Sequence, residues 1–127
     1  NSEINSFVIK MLSKKLDTLI SVEEKKIASV YKKKSINFSK IKKNPPSQTM
    51  EPIKSYATVL MGWRYKTFID NMKNFKAGYH GGKGLTDYFT LKGLSTIDID
   101  NEEDFDLVEK IILAQKIRSK KNKKYYK

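Results

Sequence analysis

Isoleucine and aspartate alternate in Thr96-Ile97-Asp98-Ile99-Asp100, and a helix start, Asn101-Glu102-Glu103-Asp104-Phe105, follows with no linker between them. Alternation is the period of a half-buried strand, so the segment predicts a strand running straight into a helix. Residues i and i+2 of a strand share a face, roughly 6.5–7 Å apart. Asp98 and Asp100 would then lie on one side, and Ile97 and Ile99 on the other. Aspartate is a poor strand former, so two on one strand cost stability. A function would justify that cost: two carboxylates converging at a strand end can hold Mg²⁺ against a polyphosphate. The spacing is equally met by a strand with a solvated acidic face, in which Asp100 only caps the helix.

Around this segment the hydrophobic pattern alternates between helix and strand periods. Ile4, Phe7, Val8, Met11, Leu12 and Leu16 recur at helical spacing over residues 4–16, with Ser2 as a cap. Residues 17–22 read as a short buried strand, residues 23–26 as a polar turn, and residues 27–31 as a second strand. Residues 32–43 hold six lysines and no acid, and Asn44-Pro45-Pro46 follows. Adjacent prolines forbid helix and central strand alike, so an extended arm or loop is expected up to Pro52. Residues 53–63 predict a buried strand, 65–72 a short helix, 78–84 a glycine-rich loop and 87–91 another strand. The last helix is expected over 101–117. Asp100 is its cap, Glu103 completes a capping box, and Phe105, Val108, Ile111, Ile112 and Gln115 line one side. The basic tail 118–127 has no apolar pattern and is expected to be disordered. An α/β layer with a hairpin excursion results.

Composition narrows the function classes. A chain of 127 residues can bury one modest core, and it contains no run of ~20 apolar residues of the kind a membrane span needs. It holds no cysteine, which removes disulfides and thiolate metal sites and fits a cytoplasmic protein. The net charge is +12, but residues 116–127 contribute seven basic residues and no acid, leaving +5 for the remainder. Only Arg64 and Arg118 are arginine, the residue that nucleic-acid surfaces favour. A nucleic-acid partner is therefore not expected. The start at Asn1, next to a helix, reads as a piece of a longer protein.

Three segments carry a resemblance. Asp17-Thr18-Leu19-Ile20-Ser21-Val22-Glu23-Glu24 is similar to a D-S-x-x-S-V-T-E strand and turn, and Ser47-Gln48-Thr49-Met50-Glu51-Pro52 to an R-x-Q-x-L-x-P segment. Residues 97–105, Ile97-Asp98-Ile99-Asp100-Asn101-Glu102-Glu103-Asp104-Phe105, are very close to I-D-I-D-T-E-E-D-F. In this order the motifs resemble the C-terminal half of the acylneuraminate cytidylyltransferases, which make CMP-sialic acids and related CMP-nonulosonic acids for surface polysaccharides and glycans. The resemblance implies a Rossmann-like, nucleotide-diphospho-sugar transferase-like three-layer α/β fold. It also implies CTP and a nonulosonic acid as substrates, with pyrophosphate released, and Mg²⁺ held by Asp98 and Asp100 as the catalytic pair. It implies a homodimer through an arm at residues 24–50, within a C-terminal portion spanning residues 1–117. The chain departs from the family in three ways. No counterpart of the N-terminal, glycine-rich nucleotide loop is present, so this portion alone is expected to be inactive. The arginine before Gln48 is replaced by Pro45-Pro46-Ser47, and an Asn-Gly pair expected near the sugar is replaced by Tyr56-Ala57-Thr58.

Other residues are candidates for substrate contact. His80-Gly81-Gly82-Lys83-Gly84 could form a backbone nest for an anion, with Lys83 adding charge, although it lacks Walker spacing and equally suits a plain turn. His80 is the single histidine and lies in a turn, where a structural or solvated role is commoner than a catalytic one, and no Ser-His-acid or Cys-His arrangement is expected. Tyr79, Tyr88 and Phe89 could pack on a sugar ring or simply fill a core. Gln48 matches a family position at the return of the arm. Two alternatives to the enzyme stay open: a small basic module binding nucleic acid or an acidic partner through residues 32–43 and the tail, and an inactive remnant.

Overall fold

The computed structural model describes residues 2–122, with side chains placed through Arg118. Helix α1 (Ser2–Ser13) leads into strand β1 (Thr18–Lys25). A long excursion follows, carrying the two-residue strands β2 (Val30–Tyr31) and β3 (Lys34–Ser35). Strand β4 (Ile53–Trp63), helix α2 (Tyr65–Phe75), strand β5 (Thr86–Leu91) and helix α3 (Glu102–Asn122) complete the order. The main sheet is mixed, in the order β4-β1-β5: β1 is antiparallel to β4 and parallel to β5. The fold is thus mixed α/β.

β1 is central because its sequence allows it. Leu19, Ile20, Ser21 and Val22 are all fully buried, the near-continuous apolar run of a strand covered on both faces. On one face Leu19 joins Phe7 and Leu16 under α1, with Met11, Leu60 and Phe89 around them. The Phe7 and Phe89 rings meet edge-on, 5.5 Å apart. Gly62 lies opposite Leu19, and a Cβ there would strike Met11 Sδ at 2.8 Å, so glycine lets α1 sit close on the sheet. Lys10 and Lys14 fasten the same helix to Asp87 of β5, at 2.9 and 3.4 Å. On the other face Thr86 packs under the glycine loop, where any side chain at Gly81 would collide with it.

Several expectations shift. The first helix ends at Ser13, and Ser2 is its first described turn rather than a cap. Of the expected polar turn at residues 23–26, the first three are instead strand, because Glu23, Glu24 and Lys25 pair with Ser55, Lys54 and Ile53. Residues 27–29 are not strand; only Val30–Tyr31 pair, in a hairpin turned by Lys32 and Lys33. β4 keeps its expected bounds but not its expected burial, for only Ala57 is buried along it. The largest correction concerns residues 97–100. They form no strand: a 3₁₀ turn at Gly93–Thr96 precedes them, and they cross to α3 as irregular chain. Asp98 and Asp100 thus do not share a sheet face. The helix cap also moves one residue. Asn101 Oδ1 accepts the Asp104 N–H at 3.0 Å, and Asp104 Oδ2 accepts the Asp100 N–H at 3.2 Å. α3 continues through residues 118–122 of the tail expected to be disordered, and residues 123–127 lie outside the described residues.

Candidate functional site

The acidic segment is reached through an irregularity in β4. Ile20 pairs with Met61 and Val22 with Tyr56, so the single residue Ser21 faces the four residues 57–60. The surplus arches out of the sheet, and Ser21 Oγ closes its base by accepting the Leu60 N–H at 2.9 Å. At the arch Thr58 takes a left-handed conformation, φ 54°, which is unfavourable for a β-branched residue. Its hydroxyl donates to Asp98 Oδ2 at 3.2 Å. Thr58 stands in the stretch where the sequence departs from the family pattern. Nothing local in the sequence marks it as a partner of Asp98.

Asp98 and Asp100 are both exposed, and neither forms an ion pair among the described residues. In chain order they come after β5 and the 3₁₀ turn at Gly93–Thr96, and Asp98 lies against Thr58 of the β4 arch, which faces Ser21 in the middle of β1. Apart from both aspartates, at the C-terminal ends of β1 and β5, Glu23, Glu24, Lys26, Thr90, Lys92 and Gly93 border a cleft of about 480 Å³. Thr90 Oγ1 donates to Glu24 Oε1 at 2.9 Å across it. Among the described residues no group of three His, Asp or Glu side chains is gathered as a complete metal site.

The other candidates fall into separate places. Tyr79 packs edge-on against Trp63 and Phe68, at 5.8 and 5.5 Å, and its carbonyl accepts the Trp63 indole N–H. That makes it part of a structural aromatic cluster. His80 lies 5.6 Å from the Tyr56 ring, which in turn lies 6.2 Å from Tyr88. Burial, followed by the neighbouring Tyr88 phenol, pushes the Tyr56 hydroxyl above its usual pKa. His80 and Asp98 therefore both touch the arch region of β4, through Tyr56 and Thr58. Lys83 Nζ sits over the Phe75 ring at 5.2 Å. Its backbone is gripped by Asn71, which also accounts for the loop's form. Asn71 is buried; its amide donates to the carbonyls of Gly81 and Lys83 at 2.8 and 2.9 Å, and its Oδ1 accepts the Lys83 N–H at 2.9 Å. The Lys83 N–H is thus spent inside the fold, and this part of the loop is a satisfied turn rather than an anion nest. Gln48 lies in a 3₁₀ turn within the excursion, with its carbonyl held by Lys26 Nζ at 2.8 Å.

One residue that sequence reasoning placed only at a strand start organises this half of the molecule. Asp17 Oδ1 accepts from Thr67 Oγ1 at 2.7 Å and from Arg64 Nε at 3.1 Å, and Oδ2 accepts the Leu85 N–H at 2.9 Å. The Leu85 N–H, then the Thr67 hydroxyl and the Arg64 charge, hold its carboxyl below the usual range against partial burial. Asp17 thereby joins β1, α2 and the end of the glycine loop.

These features define a mixed α/β unit with an acidic crossing segment beside the arch of β4. Compared with known family models, with curated proteins and with solved structures, the chain finds no match in any of the three. Among the described residues, no helix is long and apolar enough to cross a membrane.

Proposed function

We propose that the chain is the C-terminal portion of a cytidylyltransferase that transfers CMP from CTP to a nonulosonic acid and releases pyrophosphate. The observation that carries this reading is the exposure of Asp98 and Asp100: neither is in an ion pair among the described residues, and Asp98 is held only by Thr58 of the β4 arch. Their resemblance to the I-D-I-D motif supplies the chemistry. Two carboxylates suit Mg²⁺, which keeps several waters and is held by one or two carboxylates plus substrate phosphates. Mg²⁺ bound there would offset charge on the triphosphate. Thr58 would fix the Asp98 rotamer.

The finer fold reading, a Rossmann-like nucleotide-diphospho-sugar transferase fold, is supported by the parallel β1/β5 pair with cover on both faces. Both β4 and β5 are edges of this sheet, and a nucleotide-binding half could add strands at either. The excursion at residues 24–50 would be the dimer arm. Its Val30, Tyr31, Ile36 and Ile41 side chains are exposed, as a segment that packs on a partner would leave them.

The test is pyrophosphate release from CTP, Mg²⁺ and a nonulosonic acid by the chain joined to a nucleotide-binding N-terminal half. Asp98→Asn should lower the rate by about 10²-fold or more, the scale of losing one preorganised charged group. An unchanged rate and unchanged CTP affinity by calorimetry would overturn the assignment. Tight, steeply salt-dependent binding of oligonucleotides by the chain alone would favour the basic-module alternative instead.

A further inference from the structure

Helix α3 bears an apolar stripe that the described residues leave largely exposed. Phe105, Val108, Ile112 and Leu113, with Ile99 ahead of the helix, line a groove of about 360 Å³ whose borders include Glu109 and Lys116. Phe105, Ile112 and Leu113 are 53, 41 and 49% exposed. The spacing i, i+3, i+7, i+8 is that of a helix face made to pack on another helix.

The charge on the helix says which helix. Residues 102–110 carry five acids (Glu102, Glu103, Asp104, Asp106 and Glu109) against one lysine, Lys110. Residues 111–118 carry Lys116 and Arg118 and no acid. Helix-dipole preference accounts for acids in the first turn only, because that effect fades within it. Asp106 and Glu109 lie beyond that turn. A second α3 laid antiparallel would bring the acidic first turns towards the other's Lys116 and Arg118 and oppose the two dipoles, leaving only the two copies of Glu109 close together at the axis. A parallel one would stack like charges.

We propose that α3 pairs antiparallel with α3 of a second copy of this chain, through a two-fold axis at the centre of the stripe between Glu109 and Ile112. This contact is independent of the enzymatic reading and of the arm at residues 24–50.

The chain's lack of cysteine gives a clean test. In the antiparallel pair, position 109 faces 112 of the partner, so the two copies of 109 are offset by only about 4.5 Å along the axis. The two copies of position 116 are about 16 Å apart along it. Under mild oxidation Glu109→Cys should form a disulfide-linked dimer, while Lys116→Cys should remain monomeric. Adding Ile112→Asp to Glu109→Cys should abolish the cross-link, and raising the salt concentration should slow it. Circular dichroism of each variant confirms that the helix is retained. Equal cross-linking at 109 and 116, no cross-linking at 109, or cross-linking that survives Ile112→Asp would each overturn the proposal. A contact through the arm alone would appear as a dimer by mass with no cross-link at 109, which also overturns it.

Discussion

Asp17 and the Asp98–Asp100 segment are both acidic sites on the approach to or from the sheet, and the fold treats them in opposite ways. Both carboxylate oxygens of Asp17 are used, by Thr67, Arg64 and Leu85. Its backbone is used as well: its N–H donates to the Leu85 carbonyl at 2.8 Å, and its carbonyl accepts the Arg64 N–H at 2.7 Å. Asp98 receives one bond, from Thr58, and the Asp100 carboxylate receives none among the described residues. A carboxylate whose lone pairs are consumed by the chain supports the fold. One left exposed, with at most a single hydrogen bond, is available to a ligand. The contrast separates an acid used by the fold from acids left free of it, and mutation can test it directly.

The largest expected effect is at Asp17. Asp17→Ala removes three charge-assisted or neutral bonds and leaves the Leu85 N–H without its partner, so unfolding free energy should fall by about 3 kcal/mol. Urea denaturation measures it; a loss below about 1 kcal/mol would mean that Asp17 is not the junction described here. The pH dependence has a definite sign. The folded pKa of Asp17 is lowered, so its contribution is fully present above the unfolded pKa, about 3.9, and is lost as pH falls through the folded value. Asp87 acts in the same direction: burial raises its pKa, but the bond from Lys10, the Tyr88 N–H and Lys14 together outweigh that burial. Stability should therefore decline below about pH 4, and more shallowly in Asp17→Asn.

Asn71 comes next. Asn71→Ala strips three hydrogen bonds from the 81–83 turn and opens a small space beneath Gly82, whose absent Cβ now accommodates the amide. A loss of about 2 kcal/mol is expected, with faster amide exchange at Lys83. If the loop were an anion site, phosphate would instead restore part of that loss. The satisfied turn predicts no such rescue.

Much of the framework was legible because local patterns and burial agreed. β4 occupies Ile53–Trp63 as its composition suggested, and α2 and β5 lie within a few residues of expectation. The misreadings have physical reasons. Asp98 and Asp100 satisfy a period-2 pattern, but aspartate's poor strand propensity prevailed and no strand pairs with them. The helix start permitted two caps in register, Asp100 with Glu103 or Asn101 with Asp104, and both residue types cap well. The side-chain bond from the Asp104 N–H to Asn101 marks the register adopted. The partners of Asp17 are 47 to 68 positions away in sequence, and the arch at residues 57–60 depends on a sheet register. Neither has a local signature.

A smaller and opposite effect is expected in the β2–β3 hairpin. Lys32 and Lys33 turn it with φ of 46° and 65°, positions that favour Asn-Gly over two side chains of like charge. Lys32→Asn with Lys33→Gly should raise stability by about 1 kcal/mol. If the arm depends on these lysines to meet an anionic partner, the same change should weaken that contact while the fold gains.

The smallest effect on stability is the most informative one. Asp98→Asn keeps the shape and can still accept from the Thr58 hydroxyl through its amide oxygen, so denaturation should shift by less than about 0.5 kcal/mol. Asp98 is exposed and its single bond belongs to a strained arch, so the fold has little to lose there. A fall above about 2 kcal/mol would place Asp98 with Asp17 as a structural acid, and the comparison between the two regions would fail. A silent substitution in denaturant, joined to lost turnover in the proposed cytidylyltransferase, would make the separation sharp. The carboxylate would then matter only when a nucleotide and its cation are present.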